Sequence, residues 1–128
     1  MNYLTAEQVL FLHSRIISET GGSHGIVSLA LLESAIGRPM ATFGGRELYG
    51  DLFTKAAVLM DSLVRNHPFI DGNKRTAVAA TALLVRRNGF RVVMSNAELE
   101  DLALAAAVGS LTVADMANAL RTGSMSEG

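Results

Sequence analysis

The sequence contains no cysteine, which excludes a disulfide framework, a thiolate zinc site and a thiol nucleophile. It also lacks an excess of either charge: 11 Lys and Arg stand against 12 Asp and Glu, a formal net charge of −1. Bulk electrostatic attachment to nucleic acid is therefore not its mode of binding, and any contact with phosphate has to be local. No long hydrophobic run is present. The longest, residues 76–85 between Arg75 and Arg86, falls far short of the roughly 20 residues that cross a bilayer. The opening MNYLTAEQVLFLHSR has no basic leader and breaks its apolar residues with Glu7 and His13, unlike a signal peptide. A soluble protein of the reducing cytoplasm is expected.

What the chain does have is apolar periodicity with clear punctuation. In 128 residues, 49% are hydrophobic and 18% charged, which fits one globular domain around one core. Thr5 with Gln8 forms a capping box ahead of a helix carrying Val9, Leu12 and Ile16, closed by Gly21 and Gly22. Ser28 caps a short helix through Leu29, Leu32 and Ile36 that ends at Gly37 and Pro39. The glycine-rich stretch 40–50 follows no register and is expected to be a loop or a short β-hairpin flap. From Asp51 onward, Phe53, Ala56, Ala57, Met60, Leu63 and Val64 repeat at helical spacing, predicting an amphipathic helix that Pro68 terminates. The next segment, about 73–88, is apolar all round between basic ends, the pattern of a helix at the centre of a bundle. Residues 90–94 read as a short strand, and Ser95 with Glu98 and Thr112 with Asp115 open two further helices. Residues 122–128 are expected to be a frayed, flexible tail. The predicted architecture is all-α, a bundle of about six helices occupying residues 1–121.

One segment carries chemistry rather than packing: Arg65-Asn66-His67-Pro68-Phe69-Ile70-Asp71-Gly72-Asn73-Lys74-Arg75. It sets a base, an acid, a glycine and two cations at a helix start, where unpaired amides and the positive end of the helix dipole attract phosphate. Lys74 and Arg75 would ordinarily be a solvated helix start, but the dipole disfavours cations there unless an anion is bound, which favours a functional role. Gly72 permits a tight turn with close backbone approach, and Gly72, Asn73, Lys74 and Arg75 together form a candidate phosphate cradle. Asp71 is a candidate Mg²⁺ ligand beside bound phosphate, although Asp-Gly also favours turns by itself. His67 is the candidate general base, since a neutral imidazole can take a proton from a hydroxyl. Phe69 and Ile70 are expected to anchor the loop, and Asn73 can also serve as a helix cap. Base, phosphate cradle and magnesium ligand are what phosphoryl or nucleotidyl transfer requires.

The string HPFIDGNKR resembles the Fic/Doc family signature: His, usually Pro, Phe, a variable residue, an acid, Gly or Ala, Asn, Gly or Lys, then Arg. Lys74 at the eighth place is similar to the death-on-curing branch rather than the nucleotidyl-transferring Fic branch, which has Gly there. The Fic branch's second arginine, three positions after the first, falls on Val78 here. GGSHGI, LLESAIGRP and the helix order extend the resemblance over nearly the whole chain. It implies a Fic/Doc-like helical fold and transfer from Mg-ATP to a protein hydroxyl. Attack at the γ-phosphate is implied because Lys74 fills the place that Gly leaves open. The resemblance further implies a toxin of a toxin–antitoxin module, a kinase-type enzyme that phosphorylates a Ser or Thr of elongation factor Tu and blocks translation. A cognate antitoxin that folds as a helix into a groove is implied as partner. The inhibitory string of self-controlled family members, Ser or Thr, three residues, Glu, then Gly or Asn, does not occur, so control is expected from another chain.

Other readings compete. AMP transfer is the alternative within the family. Outside it stand a catalytically silent partner-binding module and a DNA-binding one. The latter takes the last two helices as a helix-turn-helix, with Arg86, Arg87, Arg91 and Arg121 on phosphates. Intact His67, Asp71 and Arg75 argue against the first, and the balanced charge against the second. Gly45 to Gly50 has a P-loop's glycine spacing, but Asp51 replaces its lysine, and no HRD or DFG string occurs. His13 and His24 read as structural or surface residues, with no spacing that pairs histidines around a metal. Phe43, Arg46 and Tyr49 are either substrate contacts or loop filler. No membrane or direct nucleic-acid partner is expected, and the chain is expected to be a monomer or weak oligomer.

Overall fold

Most helices start where a side chain can close the first unpaired amides. In the computed structural model, which describes residues 1–128, Thr5 and Gln8 cap α1 (Ala6–Thr20) reciprocally. Ser28 caps α2 (Leu29–Gly37), and Asp51 caps α3 (Leu52–Asn66). Ser95 with Glu98 opens α5 (Asn96–Ala107), and Thr112 with Asp115 opens α6 (Val113–Thr122). Between them, α4 (Asn73–Arg87) begins at Gly72 with no side-chain cap at all. The count of six helices is the expected one, and none is long and apolar enough to cross a membrane. Pro39 lies in a 3₁₀ turn, Arg38–Met40, that ends α2.

The flap segment forms a hairpin. β1 (Thr42–Phe43) pairs antiparallel with β2 (Arg46–Glu47). Gly44 and Gly45 turn it with φ of +59° and +79°, the two left-handed positions that a tight hairpin turn of type I′ requires. Its base is pinned by Lys55 of α3, which is buried and donates to the carbonyls of Pro39 and Tyr49 and to the Glu47 carboxylate. Burial alone would lower the Lys55 pKa, but hydrogen bonds with Tyr3 and Glu47 hold the ammonium above its ordinary value.

Two expectations are corrected. The tail does not fray: Ser124–Ser126 forms β4, antiparallel to β3 (Phe90–Val92). Val93 N–H to the Gly123 carbonyl at 2.7 Å and Glu127 N–H to the Gly89 carbonyl at 2.9 Å extend the ladder. A lone three-residue strand would leave its backbone unpaired, and the chain end supplies the partner. The central helix is α3 rather than α4. Eleven of its fifteen residues are buried, including all of 55–64, and it packs on α2, α4, α5 and α6. Lys55, Asp61 and Ser62 gave the segment an amphipathic pattern, yet each is buried with a partner. α4 packs on α1, α3 and α5 and leaves Ala79, Ala82 and Leu83 partly open. Side chains such as Leu59, Leu63, Leu84 and Leu120 are wholly enclosed, each contributing about 1.5–3 kcal/mol by leaving water.

Candidate active site

α3 stops at Asn66 because Pro68 bars the residue before it from helical geometry. That residue, His67, sits at φ +50° and ψ +56°, the one non-glycine residue of the chain with positive φ, and its N–H closes α3 on the Leu63 carbonyl. His67 itself is exposed. From Pro68 onward the chain is strapped to the α1–α2 connection. The Pro68 carbonyl accepts from Val27 N–H at 2.7 Å and Ser28 N–H at 3.3 Å, Phe69 bridges to Ile26, and Ile70 N–H donates to the Gly25 carbonyl. Phe69 is fully buried, face to face with His13 of α1. Ile70 does not share the anchoring role expected of it: successive residues of an extended segment face opposite ways, and Ile70 is 52% exposed.

The start of α4 is shaped by two residues of the motif. The Asn73 side chain accepts from Phe69 N–H at 3.0 Å and donates to the Phe69 carbonyl at 2.8 Å. It is thus spent on the loop, and Gly72 rather than Asn73 occupies the cap position. Gly72 has φ +78°, a conformation that favours glycine, and a Cβ there would stand 3.0 Å from Ile17 Cδ1, which would have to shift. The first helical hydrogen bond runs from Thr76 N–H to the Gly72 carbonyl. The amides of residues 73–75 therefore open from the uncapped N-terminus, which is an anion-attracting position by helix geometry alone.

His67, Asn73 and Lys74 come together in one pocket, walled by Val64 of α3 and by Ala103, Leu104 and Ala107 of α5. Arg75 does not line it. Its guanidinium donates to Thr20 Oγ1 and lines a separate groove between α1, α4 and α5, with Ile16, Val78, Asn96 and Glu100. Asp71 is partly exposed, and its Oδ2 accepts from Ser23 N–H at 2.8 Å. No group of three or more acidic or histidine side chains gathers there as a ready-made cage. A single carboxylate with one oxygen to spare fits a Mg²⁺ held mainly by phosphate oxygens and water.

Nearby, the Asp61 carboxylate, 9% exposed, takes Arg38 Nη1 and Arg65 Nε, each at 2.7 Å. Burial opposes the charge of Arg38, but Asp61 and Tyr49 raise its pKa above the ordinary value. Phe43 and Arg46 of the hairpin are exposed, and Tyr49 lies under the Arg38 guanidinium. At Asp71 sequence reading missed two contacts: the Ser23 amide on its carboxylate, and His13, whose Nε2 lies 2.8 Å from the Asp71 carbonyl oxygen. His13 carried a signal, since it falls in the buried stripe Val9, His13, Ile17, where a polar ring needs a partner. His24 is exposed.

The chain is 37% identical over 121 residues to the protein kinase doc of Escherichia phage P1, covering 94% of both chains. It is 42% identical over 90 residues to the toxin Doc of Mycolicibacterium smegmatis, covering 70% of this chain and 67% of that one. Residues 3–85, which include the whole loop from His67 to Arg75, match the Fic/DOC family. The uncapped helix start, the outward histidine and these two relatives lead to one assignment: the chain belongs to the Fic/Doc family.

Proposed function

We propose that the chain is the toxin of a toxin–antitoxin pair and a protein kinase of the Doc type. It transfers the γ-phosphate of Mg-ATP to a Ser or Thr hydroxyl of a translation factor, elongation factor Tu, and blocks translation in the cytoplasm. One observation carries this reading: an exposed His67 shares a pocket with Lys74 at the uncapped start of α4. Similarity to a protein kinase along 94% of the chain supports it.

In this reading the neutral His67 imidazole takes the proton of the target hydroxyl. The freed oxygen attacks the γ-phosphorus as the bond to the β,γ-bridging oxygen breaks, and ADP leaves. The amides of residues 73–75 and the Lys74 ammonium hold the phosphate oxygens, and Arg75 joins them on leaving Thr20. Asp71 would hold Mg²⁺, which would neutralise phosphate charge. Lys74 stands where AMP-transferring relatives carry Gly, which favours attack at the γ-phosphate over AMP transfer. A cognate antitoxin belongs to the same reading. The groove beside Arg75 is apolar at Ile16, Val78 and Leu99 and suits a segment that orders as a helix on docking.

Purified His67→Ala should lose phosphate transfer by at least about a hundredfold while keeping the helical circular-dichroism spectrum. Transfer at the wild-type rate would remove His67 from the mechanism.

A further inference from the structure

α1 presents one polar side chain to the interior: His13, 4% exposed, between Val9 and Ile17 on the buried stripe. An apolar residue would complete that stripe, and a buried imidazole is costly unless its nitrogens are bonded. Its face lies on Phe69, 3.8 Å between centroids and 7° between planes. Its edge meets the turn, with Nε2 at 2.8 Å from the Asp71 carbonyl oxygen. A carbonyl only accepts, so Nε2 carries the proton and donates it. The same edge lies 3.7 Å from where a Gly72 Cβ would stand.

The Asp71 carbonyl and the Gly72 amide belong to one planar unit. No peptide bond in the chain is cis, so the carbonyl and the N–H of that unit point opposite ways. Drawing the carbonyl inward to α1 turns the Gly72 N–H outward, next to the open amides of α4. We infer that His13 is a positioning residue for phosphate transfer: through the Asp71 carbonyl it sets the plane of the Asp71–Gly72 peptide and thereby aims the first amide of the phosphate turn. This rests on the phosphotransfer reading above.

Two substitutions separate aiming from packing. His13→Phe keeps a ring on Phe69 and loses the donor, whereas His13→Gln places an amide nitrogen close to where Nε2 stands. Measured per folded molecule, below the melting point of each variant, turnover in His13→Phe is expected to fall about tenfold or more, with His13→Gln recovering most of it. Wild-type turnover in His13→Phe, or an equal loss in both variants, overturns the inference. Proton–nitrogen NMR of the wild-type imidazole reads the same point without turnover and applies even where a variant does not fold. An Nε2–H tautomer is expected, and an Nδ1–H tautomer overturns the inference. His67→Ala is the control: if wild type and His67→Ala are alike in transferring nothing, the phosphotransfer reading fails, and the tautomer still decides whether His13 holds the turn.

Discussion

His67 occupies a left-handed backbone conformation in front of a proline, which only the surrounding structure can hold. The cap that ends α3 and the outward placing of the imidazole are the same feature. Glycine tolerates that conformation and alanine does not, so His67→Gly should exceed His67→Ala in stability by about 1 kcal/mol. Both should be inactive. Urea midpoints of the two variants check this, and equal midpoints would show that the backbone at 67 is unstrained. At this scale the motif was largely legible, because a proline, a glycine and a helix start act on their immediate neighbours. Asn73 and Arg75 were not. The Asn73 amide is bound by the curl of the loop onto Phe69, and Arg75 by Thr20, 55 positions away in sequence.

Helix starts were equally readable, since a cap and its amide are three residues apart. Asp51, which starts the helix that ends at the His67 loop, accepts from Thr54 N–H and Oγ1 and pairs with Arg121. Burial pushes its carboxyl upward, but these hydrogen bonds outweigh that and hold it below its ordinary value of 3.8. The ionised form is therefore favoured by folding. Its contribution is fully present above pH 3.8 and is lost as pH falls through the lowered folded-state value. Asp51→Ala should cost about 1 kcal/mol near neutral pH, and that difference from wild type should close on acidification. Denaturation midpoints across pH test it, and a gap independent of pH would contradict it. The ranking of α3 and α4 was illegible for a different reason. Lys55 and Asp61 look like a solvent face until the Pro39 and Tyr49 carbonyls and Arg38, all outside the helix itself, are folded against them.

Across the whole molecule, one core ties the hairpin, the turn at Gly72 and the chain end together, with α3 at its centre. The last residues complete the β3–β4 ladder, which no local pattern in SMS announced. Ending the chain at Thr122 should therefore lower the melting temperature by several degrees, as three or more hydrogen bonds of about 0.5–1.5 kcal/mol each are lost. An unchanged melting temperature would mean that β4 contributes nothing. The central claim is that this fold holds an imidazole over a phosphate turn in order to phosphorylate. The most direct measurement is the intact mass of elongation factor Tu after incubation with the protein and Mg-ATP. The account requires the mass of one added phosphate with the wild-type chain and none with His67→Ala. An added AMP, or no change in mass with the wild-type chain, would contradict it.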